Sequence, residues 1–272
     1  MAEKFMSVRR KLSHARKHID RMEAEVKAFG QTMPYEIEVV GDPVNGRGSY
    51  RIKGDPKPVP DQIAEIAGDA AHNLRTAFDH FACAVVSAMT TNTAFPVWRK
   101  DRIPSANDWR GLVRGKLSGA SRQLIQAVED SEAYKTGRGE YVWCIDELDR
   151  TDKHIDLIEV AGANTGVVID PFKMFERMRE RGEMAMPEAL KSVNWTMPSM
   201  PLTLIPKEWT RVERGADLFA VKSPNGHPVP TFTFNIALAQ PDVLRGKKVT
   251  ETLRNLTNQA EDLLLNQLAP LA

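Results

Sequence analysis

Two side chains suited to phosphate and proton chemistry, Arg75 and His80, lie five positions apart in the string HNLRTAFDHFACAVV. A guanidinium stays charged and offers a planar fork of donors to phosphate oxygens, and an imidazole takes up and returns protons near neutral pH. Around them, from Ile66 to Arg99, the chain contains neither Lys nor Glu, the residues that usually solvate an exposed helix face. At 100° per residue, Ile63, Ile66, Ala67, Ala70, Leu74, Ala77, Phe78, Phe81 and Val85 make a broad apolar face. Asp69, His72, Asn73, Thr76, His80 and Cys83 fill the opposite stripe, with Asp79 at its border. Short polar groups of this kind converge on something nearby: a ligand, a partner subunit or a neighbouring helix.

A second polar cluster stands in WCIDELDRTDKHIDL, where Tyr141, Ile145, Leu148 and Ile155 form an apolar seam with Asp152 in its middle. A carboxylate in such a seam needs a cation, and Arg75, His72 and His80 are the internal candidates. The two helices are therefore expected to face each other. Lys153 and His154 fall on other sides, and His154 is kept as a secondary candidate.

The strings IAGDAAHNLRTAFDHFACAVV and LDRTDKH resemble a widespread set of bacterial proteins built around HNLRxxxDHxA and a downstream DKH, over about a third of the chain. More distantly, the segment from Arg75 to His80 is similar to the Arg-x4–6-His signature of HEPN domains. Those are helical, often dimeric modules found in metal-independent RNases and in toxin or phage-defence systems. The resemblance implies a homodimer that cleaves RNA. Arg75 would stabilise phosphate charge and His80 would move the proton of a ribose 2′-OH. Asp152 or Asp79 would orient one of them, with Asp69, His72, Asn73, Thr76 and His154 in support.

Two other readings use the same residues. Asp69, His72, Asp79, His80 and Asp152 could supply a mixed nitrogen and oxygen ligand set for a metal from two facing helices, although no HExxH pair is present. A non-catalytic homodimeric binding or regulatory module would use the polar stripe to fix helix register. No cofactor is expected: GANTGVV lacks the GKS/T of a phosphate loop, and neither a dinucleotide fingerprint, GxSxG nor CxxC occurs.

The elements that must position these residues make an α+β fold, a dominant HEPN-like helical bundle with short antiparallel β-elements. Residues 1–272 are read as a single domain. Its parts are an amphipathic helix over 1–30, a β-hairpin over 35–53 and a helical core over 61–161 with a polar cleft. A Met- and Pro-rich connection over 162–200, a β-rich segment over 202–238 and a helix over 248–269 follow. Within the core, helices are expected from about Asp61 to Met89, Leu112 to Glu132 and Tyr141 to Val160. Gly30 should stop the first helix and Asp61 should cap the second.

Composition narrows the surroundings. A formal net charge of +1 over 272 residues gives no global field for a polyanion or an anionic membrane. The only cysteines, Cys83 and Cys144, sit in apolar helical pattern and suit buried, reduced thiols. The amino-terminal stretch has no apolar core of signal-peptide length, and no run approaches the roughly 20 apolar residues of a spanning helix. A cytoplasmic protein is expected, with RNA rather than membrane as partner.

Overall fold

Apolar side chains at alternating steps of three and four wind Met6–Gln31 into helix α1, burying Val8, Leu12, Ala15, Ile19 and Met22 on one face. The computed structural model describes residues 3–42, 47–100, 102–154, 158, 160–169, 202–204, 210–221 and 231–272. The architecture is α+β, with six α-helices among the described residues and short antiparallel strands in two small sheets.

The contacts gather into two compact units where the sequence reading had one domain. One unit is helical and comprises Met1–Lys27, Pro60–Val160 and Leu238–Ala272; the other comprises Ala28–Val59 and Ala161–Ala237. The physical reason is strand pairing, which draws together two stretches that are far apart in sequence.

In the β-rich unit, β1 (Glu36–Asp42) and β2 (Arg47–Lys53) form the expected hairpin in antiparallel register, Glu36 opposite Lys53. Its Asn-Gly turn lies outside the described residues, as do the later SPNGHP turn and residues 170–201. A distant strand, β6 (Asp217–Val221), pairs with the other edge of β2. The second sheet is built on β3 (Val160–Ile169), which pairs with β4 (Leu202–Leu204), β5 (Thr210–Arg211) and β7 (Thr231–Leu238). Ile52, Val212 and Leu218 form the small core, with Tyr35, Phe232 and Phe234 packed against it.

The helical unit is organised by α2 (Asp61–Val85), whose apolar face is fully buried from Ile63 to Phe81 at the positions expected. Phe5 stacks on Phe81 at 5.2 Å, and Phe78 meets Phe95 edge-on at 4.8 Å. Helix α5 (Glu140–His154) runs antiparallel to α2, because Gly68, His72 and Arg75 meet Asp152, Asp149 and Asp146 in reverse order. The carboxy-terminal helix α6 (Val249–Glu261) continues as a π-turn segment, Asp262–Leu268, with Leu253, Leu256, Leu263 and Leu264 buried. It lies beside α1: Arg16 reaches Glu261 at 2.5 Å, and Arg254 reaches Glu23 at 2.7 Å.

Several element ends differ from expectation. The stretch Leu112–Glu132 is two helices, α3 (Ala106–Lys116) and α4 (Arg122–Ser131), because Ser121 caps a new start by accepting from the amide of Leu124. Helix α5 ends at His154, and Val160 opens β3 instead of extending the helix. Asp61 lies inside the first turn of α2, where its charge favours the helix dipole, and Pro60 occupies the cap position. Helix α1 runs past Gly30 to Gln31, and the left-handed residue that follows is Met33, at φ 46°.

The approach of α2 to α5 depends on Gly68, where an added Cβ would sit 2.0 Å from Asp152 Oδ1 and 2.4 Å from its Cγ. Gly68→Ala should therefore lower stability by about 1–3 kcal/mol, despite alanine's better helix propensity. Adding Asp152→Ala should recover most of that loss, as measured by urea denaturation of the single and double variants.

Candidate functional site

The polar stripe of α2 divides between two neighbours. Toward α1, Asn73 accepts from Lys11 Nζ at 3.3 Å and donates to the carbonyl of Asp69, while His18 lies 3.7 Å from the Asp69 carboxylate. Toward α5, the antiparallel pairing builds a ladder of polar rungs from Asp146, Asp149 and Asp152, which recur every three residues.

The first rung is Arg75 with Asp146. Asp146, only 1% exposed, forms an ion pair with Arg75 Nε at 2.7 Å and accepts hydrogen bonds from both Nε and Nη2 of Arg99, each at 2.7 Å. Bidentate geometry of this kind is strong and raises the Arg99 guanidinium further into its charged range. Arg75 is itself 6% exposed, and its Nη2 donates to the carbonyl of Phe95 at 3.1 Å and lies 3.0 Å from Asp79. The amide of Phe95 donates to the same Asp79 oxygen at 3.0 Å. One helix turn of α2 thus grips both polar groups of the Phe95 backbone, fixing the segment that carries Val97, Trp98 and Arg99. Arg75 Nη1 is buried and has no hydrogen-bond partner among the described residues.

The second rung is an acid–base dyad. His72 Nδ1 lies 2.9 Å from Asp149 Oδ1, and His72 Nε2 lies 3.4 Å from Thr76 Oγ1. Lys153 holds the other Asp149 oxygen at 2.9 Å. The His72 side chain is 42% exposed, whereas that of Asp149 is 10% exposed, so a nearly buried carboxylate orients an accessible imidazole.

The third rung places Asp152 against the backbone at Gly68. Burial is the largest cause raising its carboxyl above the ordinary 3.8, followed by the negative charges of Asp149 and Asp69; His72 and Lys153 oppose the shift. The sequence reading expected Asp152 to pair with Arg75, His72 or His80. The direct partners of Arg75 and His72 are instead Asp146 and Asp149, about two turns and one turn earlier on α5 respectively. The three-residue spacing of the aspartates could have disclosed this, since it keeps all three near one face.

Arg75 and His80 are not brought together in one network: Arg75 belongs to the Asp146 rung, and the half-buried His80 has a buried Nδ1 with no hydrogen-bond partner among the described residues. Among those residues no group of three or more His, Cys, Asp or Glu side chains is arranged to hold a metal, so Asp69, His72, Asp79, His80 and Asp152 do not form the ligand set considered above. The side chain of His154 lies outside the described residues. Burial pushes the Cys144 thiol up to about 12, as a buried structural cysteine requires. No helix among the described residues is long and apolar enough to cross a membrane.

Removing one partner of the buried rung leaves uncompensated charge, so Asp146→Ala should cost about 3–5 kcal/mol in chemical denaturation. Asp152 behaves oppositely. Its raised carboxyl binds a proton more tightly in the folded chain, so its favourable contribution is complete below pH 3.8 and is lost as pH rises through the folded-state value. Asp152→Asn should therefore raise Tm at neutral pH, an advantage that vanishes in thermal melts below pH 3.8. Comparison with protein-family models, curated proteins and solved structures finds no match to this chain.

Proposed function

We propose that the helical unit carries a metal-independent acid–base centre acting on RNA, in a cytoplasmic homodimer, and that His72 rather than His80 is its proton-transfer group. The observation that carries this reading is the Asp149–His72 hydrogen bond at 2.9 Å on an imidazole left accessible to solvent. With Nδ1–H donated to Asp149, the lone pair of Nε2 is free to accept the proton of a ribose 2′-OH, and the protonated ring is then stabilised by the carboxylate behind it. Thr76 lies within reach of that nitrogen and could hold it in place before substrate arrives.

Arg75 takes a different role from the one its resemblance to the HEPN signature implies. Two of its nitrogens are committed to Asp146, Asp79 and the Phe95 carbonyl. It is therefore a positioning residue that aligns α5 and the Phe95 segment, and cations nearer the surface are better placed to meet a phosphate.

Metal-stripped protein in excess EDTA should cleave labelled single-stranded RNA. His72→Gln should lower the rate by about 10²- to 10⁴-fold, the usual contribution of a general acid–base group, and His80→Ala should leave most of it intact. Cleavage equal in wild type and His72→Gln, or no cleavage by folded wild type, would reject the assignment. The rung ladder would then be a register-fixing network in a binding module, the second reading that the buried Arg75–Asp146 pair favours.

A further inference from the structure

Beside the Arg75 rung lies a cavity of about 470 Å³, the size range of small-molecule sites. Its charged lining is unbalanced, with Arg75, Arg99, Lys100 and Lys116 against a single carboxylate, Asp79. Asp79 is already engaged by Arg75 and by the Phe95 amide, and Asp146 behind the wall is saturated by two guanidiniums. The surplus positive charge therefore faces the cavity. Arg99 and Lys100 are exposed at its mouth, and Lys116 is half-buried, with Nζ donating to Asn92 Oδ1 at 2.9 Å. The remainder of the lining is apolar and includes Phe95, Val97 and Leu112.

A second observation points to a ligand. Arg75 lines this cavity and is more than nine-tenths buried, yet its Nη1, with two N–H donors, has no partner among the described residues. Leaving such a group unsatisfied is costly, and an acceptor entering from the cavity would relieve it.

We infer that this cavity is a binding site for a small phosphomonoester with an apolar body. The doubly charged head group would accept from Arg75 Nη1 and lie among Arg99, Lys100 and Lys116, with its body against Phe95 and Leu112. A dianion gains about twice the Coulomb attraction of a carboxylate from the same cations, which is why a phosphate is favoured over a carboxylic acid. The cavity's size suits a free small molecule better than a polymer, whose backbone would have to continue past the apolar wall. The inference does not rest on the acid–base reading of His72, because binding is measured without any cleavage.

The test is calorimetric titration of the full chain with phenyl phosphate, with benzyl alcohol as the neutral analogue of the body. Saturable binding of phenyl phosphate, little heat from benzyl alcohol, and about tenfold weaker binding for each of Lys100→Ala and Lys116→Ala are expected. Lys17→Ala, an exposed lysine of α1, serves as the control and should bind as wild type. Both cavity variants remove exposed or half-buried side chains, and unchanged melting temperatures would exclude misfolding as the cause. No saturable binding, equal binding of benzyl alcohol, or undiminished binding by both variants would overturn the proposal. A 5′-phosphorylated RNA oligonucleotide that binds more tightly than phenyl phosphate would overturn the small-molecule assignment.

Discussion

The helical unit is organised around one buried carboxylate. Asp146 pairs with two guanidiniums that come from different segments, at 2.7 Å with Arg75 on α2 and through two hydrogen bonds with Arg99 on the stretch that follows it. A charge 1% exposed would be untenable alone, and the buried Arg75 likewise depends on it, whereas Arg99 reaches it from an exposed position. Such a pair is weak evidence for added stability, since its desolvation offsets much of its attraction, but it allows only one register. If α5 slid by a turn against α2, Arg75 would lose Asp146, and His72 would lose Asp149.

Register then propagates outward. Because Arg75 and Asp79 together hold the amide and carbonyl of Phe95, the segment after α2 is fixed from the helix side, and Phe95 is delivered to Phe78 as an edge-on ring contact. The same segment continues to Trp98, whose amide bonds the carbonyl of Ala133 and whose indole N–H bonds that of Arg102. Polar specification and apolar packing therefore agree along α2, the consistency expected of a sequence that commits to one structure.

The two kinds of rung illustrate how one helix pair can hold structural and chemical groups side by side. The Arg75 rung is buried on both partners and suits positioning. The His72 rung is buried only at Asp149, so its imidazole keeps an open side. The Gly68 rung trades a side chain on α2 for close approach, leaving Asp152 in a place where its negative charge is disfavoured. These differences follow from how far each position lies from the helix–helix contact line, a property of the packed pair rather than of either helix.

Much was legible in the residues alone. The apolar face of α2, the amphipathic pattern of α1 and α6, the hairpin over 35–53 and the confrontation of the two polar helices all follow from periodicity and turn chemistry, which are local. That a carboxylate in the α5 seam would call for a cation, with Arg75 and His72 among the candidates, was also readable, because burial cost depends on residue type. Which aspartate would serve was not: Asp146, Asp149 and Asp152 are equivalent by residue type and step around α5 by about 60° each, so any of them could border the seam. The choice is made by the point at which α5 crosses α2, and that point is set by Gly68, the one position on that face of α2 where α5 can approach a bare backbone. The roles of Arg99, Lys100 and Lys116 were equally hidden, since they reach the α2 seam through pairings of residues distant in sequence. Residue types thus determined that a charged, polar seam would exist, and only tertiary packing decided which charges it buries and which it leaves open.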